Sequence, residues 1–233
     1  MTGKPKRAEE KSALLVSVAR EIIRETGDFE LPMRLLAARA QVSLRTPYEL
    51  FGSKNGVIRA ILQTDQAIFR ERAKQLNTTD WLENILERVN LGVVFYAESQ
   101  PFYRALFRAT QGYSGGDETE PARENLRAFR TLTLRAQMAK LIRPEVDTDI
   151  LGETLTDLFA ANFRTWASST FDIHLVSLKI GYGFAMVLAT AASEPHDARM
   201  RERALTYQRA VQTFVEPIAA EDGTTDVSAV ASA

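Results

Sequence analysis

The side chains best suited to do chemistry in this sequence are ones that grip oxyanions and base edges. Ser43, Leu44, Arg45, Thr46 and Tyr48 open a short segment that Phe51-Gly52-Ser53 closes, and Arg34 and Lys54 flank it. A guanidinium such as that of Arg45 pairs bidentately with guanine, whereas hydroxyl and ammonium groups hold phosphates. The residues of common catalytic machinery are missing. The only histidines, His174 and His196, are far apart in sequence, and there is no cysteine. No His-Glu-x-x-His pattern, phosphate-cradling glycine loop or Gly-x-Ser-x-Gly turn occurs. Paired carboxylates such as Glu9-Glu10 fall on solvated helical faces. The expectation is a protein that is not an enzyme and needs no metal or cofactor.

The elements that must position these residues read as helices. Over residues 8–26, Leu15, Val18 and Ile22 recur at helical spacing, with Gly27 placed to stop the run. Pro32 suits the first turn of a second helix carrying Leu35, Leu36 and Ala40. Ser43 is placed to cap a third helix, Pro47 is tolerable only near its start, and a fourth helix runs from about Ser53 towards Leu76. Leu36, Ala37, Ala40 and Val42 are apolar and mostly small, so the second and third helices can cross closely. Further helices are expected at about 79–99, from Pro101, and at about 121–141, 147–168, 172–192 and 196–216, with 111–120 a loop. No run has strand period. The expected class is all-α.

Composition agrees with a globular chain. Hydrophobic residues make up 45% and charged residues 25%, and the absence of cysteine excludes a disulfide framework and a thiolate metal site. The N-terminal residues are polar rather than a signal peptide, and the apolar stretch 180–192 is short for a membrane span of about 20 residues. A cytoplasmic protein without a membrane partner is expected. The net charge of −1 conceals a gradient, since residues 1–60 hold 11 basic and 7 acidic side chains and the rest is correspondingly acidic. A basic end on an acidic body fits a nucleic-acid-reading head.

The stretch from Leu36 to Lys54 resembles the TetR family of bacterial transcriptional regulators. The resemblance is carried by Leu36-Ala37, Ala40, Val42-Ser43, Tyr48, Phe51 and Lys54 at the family's spacing, and it covers about residues 8–62. One position departs: Gln41 stands where the family usually has a glycine, so the turn must strain or change. The resemblance implies a helix-turn-helix DNA-binding domain over residues 1–55, a helical effector-binding and dimerisation domain over 56–216, and a frayed tail over 217–233. It implies DNA contacts from Arg34, Ser43, Leu44, Arg45, Thr46, Tyr48 and Lys54, with Arg45 the best base reader and Tyr48 and Lys54 on phosphates. Lys4, Lys6 and Arg7 form a candidate basic arm. Phe51 is expected in the core and Arg39 as a solvated charge.

The body offers a dimer surface and a pocket. The helix over 173–192 is apolar on nearly every side, so a partner subunit or the protomer itself must cover it. Leu155, Phe159, Val176, Ile180, Gly183 and Val187 are the candidate interface residues, in a homodimer on a palindromic operator of double-stranded DNA. The body's many aromatics are mostly core. A sharper reading has some of them lining a cavity for a small apolar or aromatic effector, with Tyr96, Tyr103, Arg104, Arg108, Asn162 and His174 as polar contacts. The implied function is a ligand-responsive regulator, a repressor released from its operator by the effector. The alternative is an activator, or a dimeric regulator with no effector.

Overall fold

A computed structural model describes residues 3–27, 30–76, 78–110 and 120–221. Ten helices make up these residues: α1 (Gly3–Thr26), α2 (Met33–Arg39), α3 (Arg45–Phe51), α4 (Lys54–Lys74), α5 (Trp81–Ala97), α6 (Gln100–Thr110), α7 (Glu120–Met138), α8 (Thr148–Ser168), α9 (Ile173–Ala191) and α10 (His196–Glu221). The all-α expectation holds among them. The Glu194–Pro195 peptide bond before α10 is cis.

Short polar side chains start the long helices, because the first N–H groups of a helix lack backbone partners. Ser53 accepts from the Gly56 N–H at 3.2 Å to begin α4. Asp147 and Asp172 do the same for α8 and α9. Asp80 caps α5 through Leu82 and Glu83 with Oδ1, while its Oδ2 forms an ion pair with Arg199 of α10 at 2.5 Å. Pro32 stands at the N-cap of α2, one residue earlier than expected.

Two helices end on left-handed residues other than glycine. At Gln41 (φ 54°) the N–H groups of Gln41 and Val42 return to the carbonyls of Ala38 and Ala37, and at Lys140 (φ 62°) those of Lys140 and Leu141 return to Gln137 and Ala136. Both are Schellman closures, which favour glycine at the position these side chains occupy.

Helices α1 to α3 form a compact head whose buried Leu15, Ile22, Leu36 and Ala40 belong to the same apolar cluster as the body's Leu82, Phe159 and Phe184. Helix α4 bridges the two, touching α1 and α3 of the head and α5 and α7 of the body. Helix α9 is packed by α5, α8 and α10. It is long and apolar enough to cross a membrane by composition, but half of it is buried within the chain, as suits a core helix. Gly181 lets α10 approach, since a Cβ there would lie 2.5 Å from the Tyr207 ring.

Some expected boundaries move. Helix α1 begins at Gly3 rather than near residue 8, so the backbone of the expected basic arm is helical, with Arg7 exposed; the side chains of Lys4 and Lys6 lie outside the described residues. Helix α10 continues past Pro217 to Glu221, and residues 222–233 of the expected tail lie outside the described residues. So do residues 111–119 of the expected loop.

Candidate nucleic-acid interface and helical body

Helices α2 and α3 cross through the Gln41 turn. Gln41 adopts the left-handed geometry that the missing glycine would have supplied, so the turn survives with a Cβ in it. Ala37 and Ala40 are buried, and small side chains there bring α2 close to α3. The Ser43 hydroxyl meets the Thr46 hydroxyl at 2.9 Å rather than a backbone N–H, so Leu44 holds the N-cap position with no side-chain bond. At the start of α3 the Thr46 N–H bonds the Ser43 carbonyl at 3.0 Å, and Pro47 has no N–H to satisfy.

The outward residues of this end form one surface. Ser43, Leu44, Arg45 and Tyr48 are exposed, Thr46 is half-buried, and Pro47 and the half-buried Phe51 anchor the opposite face. Arg34 is exposed on α2, and Lys54 is the first residue of α4, beside the Ser53 cap. Arg45 is 84% exposed, and its Nε donates to Glu49 at 2.6 Å, so the best base-reading candidate is held along its own helix. Arg39 is half-spoken for: it bonds Glu25 at 2.6 Å and ties α2 to α1.

Where head meets body, three polar groups lock together in an apolar setting. Asp65 of α4 is buried; its Oδ1 receives Arg20 of α1 and its Oδ2 receives the Tyr103 hydroxyl of α6 at 2.8 Å. The Arg20 guanidinium also lies 4.8 Å from the centre of the Phe102 ring. Burial, reinforced by the Asp65 charge, pushes the Tyr103 hydroxyl well above its ordinary pKa, so it remains a donor. Sequence reading did not single out Asp65 or Arg20. The available signal was the stripe Val57, Ile61, Asp65 at four-residue spacing, which sets a carboxylate on the buried face of α4. A cleft of about 750 Å³ adjoins this lock between α1, α4 and α5, where Arg72 pairs with Glu98.

The polar residues expected around an effector are dispersed. Tyr103 belongs to the Asp65 lock. Arg104 donates to the carbonyls of Trp166, Ser169 and Phe171 at 2.5–2.8 Å and lies over the Trp166 ring, which closes the C-terminal end of α8. Arg108 donates to Gly27 O at 3.1 Å, tying α6 to the end of α1. Asn162 bonds Leu158 O of its own helix at 2.8 Å, and His174 is exposed at the start of α9. Tyr103, Arg104, Arg108 and Asn162 thus have partners within the chain, and His174 lies at the surface. Tyr96, like Tyr103, lies among the aromatics. Its ring lies 4.7 Å from that of Tyr103 and 4.8 Å from that of Phe163, and burial pushes its hydroxyl up against the lowering effect of Asn125. Among the described residues, no group of three or more His, Asp or Glu is placed to hold a metal.

The expected interface residues divide as well. Leu155, Phe159, Val176 and Ile180 are buried inside the protomer. Gly183 and Val187 remain half-buried, next to the exposed Met186. Gly183 faces Leu158 of α8, where a Cβ would lie 3.4 Å from that side chain.

The sequence matches no family model and no curated protein. Solved structures do match over nearly the whole chain. A TetR-family transcriptional regulator from Pectobacterium atrosepticum is 20% identical, with a TM-score of 0.67 over 82% of this chain and 98% of that one. A full-length TetR regulator from Streptomyces fradiae is 19% identical, with a TM-score of 0.63 over 88% and 99%. A γ-butyrolactone receptor, described as ArpA-like, is 17% identical, with a TM-score of 0.57 over 88% and 99%.

Proposed function

We propose that this chain, which has the fold of TetR-family transcriptional regulators, is a homodimeric DNA-binding regulator that represses from a palindromic operator and is released by a small molecule. The observation that carries the reading is the outward end of α3. A tight left-handed turn presents Leu44, Arg45 and Tyr48 to solvent together, with Lys54 beside them at the start of α4. A helix offered by its N-terminal end fits the major groove, where Arg45 reads a guanine edge and Tyr48 and Lys54 hold phosphates. The exposed face of α8 and α9 that carries Thr165 and Met186 is the surface assigned to a twofold partner.

Fluorescence anisotropy with labelled DNA from upstream of the chain's own gene tests the reading. Wild type is expected to outlast excess random competitor and to weaken with salt. Arg45→Ala is expected to lose about tenfold for that DNA and little for random DNA, the value of one bidentate base contact. Equal affinity for both DNAs, here and in a genome-wide fragment selection, would overturn it. The effector reading draws support from the neighbour described as a γ-butyrolactone receptor. The ring-on-ring packing of Tyr96, Phe107 and Phe163 favours the second reading, in which these aromatics are only core and the regulator has no ligand there. A thermal-shift screen across apolar metabolites separates the two.

A further inference from the structure

A second cleft, of about 470 Å³, lies between the C-terminal end of α4, the start of α5 and the middle of α7. Five cations line it (Arg70, Lys74, Arg88, Arg127 and Arg135) against one carboxylate, Glu124. Glu124 is 3.8 Å from Arg70 and 3.6 Å from Arg127, beyond hydrogen-bond distance, and Lys74 turns to Glu71 at 2.7 Å. Among the described residues Arg88 and Arg135 have no carboxylate within ion-pair distance and donate no hydrogen bond. Their guanidinium groups lie instead over rings, 5.2 Å from the centre of Phe69 and 5.0 Å from that of Trp81. Burial lowers the Arg88 pKa despite the charge of Glu124. The larger cleft beside Asp65 contrasts with this one, since its Arg20 and Arg72 are taken up by Asp65 and Glu98.

A partly desolvated guanidinium without an acceptor is unfavourable, and an arriving oxyanion relieves it with charge-assisted bonds. Trp81, Leu76 and Leu132 supply an apolar floor next to the cations. We propose that this cleft binds a small organic oxyanion, a carboxylate or phosphate ester on a flat apolar body, with Arg88 and Arg135 holding the charge and Trp81 the body. Arg70 and Lys74 sit on the same helix as Lys54, roughly 24–30 Å from it at 1.5 Å per residue. An anion that draws this end of α4 towards α5 and α7 therefore shifts the seat of the head. That consequence rests on the DNA-binding reading; the binding itself does not.

Calorimetric titration of the full chain with naphthyl phosphate, naphthoate and the neutral naphthamide tests the site. At least one anion is expected to bind once per chain, and the amide at least about tenfold more weakly. Whichever anion binds tighter identifies the source of the oxyanion. Arg88→Gln and Arg135→Gln are each expected to weaken the anion about tenfold or more, while Arg72→Gln in the other cleft leaves it unchanged. Arg135 is exposed, so its variant keeps the test decisive even if Arg88→Gln fails to fold. Absence of heat with both anions, equal binding of the amide, or unchanged affinity in Arg135→Gln would overturn the proposal. The operator assay is read separately. A bound anion that leaves DNA affinity unchanged upholds the site and refutes only its effect on the head.

Discussion

Two single residues in the head carry distinct costs. Gln41 holds a left-handed conformation with a side chain attached. Gln41→Gly is expected to stabilise the fold by about 0.5–1 kcal/mol without changing operator affinity, read as a small rise in thermal midpoint. Arg45 is bridged to Glu49, and both are exposed, so the pair contributes little to stability. On the proposed DNA-binding reading its weight falls on recognition: Arg45 must leave Glu49 to reach a base, and the carboxylate repels nearby phosphates. Glu49→Gln is expected to tighten binding to all DNA by roughly threefold to tenfold, most at low salt, in competition anisotropy. These positions were legible in the sequence because turn and recognition residues are local in the chain. The detail that escaped was the Ser43 hydroxyl, which chose Thr46 over the helix's first N–H groups.

Among the elements, caps were legible and partners were not. Ser53 announced the start of α4, and Gly27 and Gly52 announced ends, because each acts on its immediate neighbours. Arg104 and Arg108 looked like polar groups in an aromatic pocket, yet they close the ends of α8 and α1 more than sixty residues away. Nothing local marks such a carbonyl partner. Likewise, an all-round apolar α9 declares that it must be covered but not by what, and α10 takes the side at Gly181. Asp80 joins two elements with one carboxylate. Burial opposes its charge, but Arg199 and the N–H groups of Leu82 and Glu83 prevail, holding its pKa below the ordinary 3.8. Its contribution is therefore full above that ordinary value and fades as pH falls through the lower folded value. Asp80→Ala is expected to cost about 2 kcal/mol in denaturant unfolding near neutrality. The gap from wild type should narrow as pH falls below the ordinary carboxylate value.

On the scale of the molecule, the order of ten helices followed from the sequence, whereas the division of apolar surface between core and partner did not. Alternation along α8 and α9 assigns faces but not which face meets a second chain, and four of six expected interface residues proved to be core. Met186 and Val187 remain on the outer face of α9, and Met186 is 45% exposed. Met186→Glu, facing its own copy across a twofold axis, is expected to shift the dimer towards monomer in light scattering and to weaken operator binding. Retained dimers would move the interface elsewhere on the body.

The Asp65 lock sits within α4, eleven residues from Lys54 and nine from Lys74. A rigid rod pinned there is a see-saw with nearly equal arms. At 1.5 Å per residue, a push of about 1 Å at the Lys74 end swings the Lys54 end about 1.2 Å the opposite way. In the proposed dimer, two such rods related by a twofold axis would move their heads apart or together by about twice that. The gearing is thus set by where along the helix the carboxylate was placed, and moving it one turn towards Lys74 would lengthen the throw at the Lys54 end.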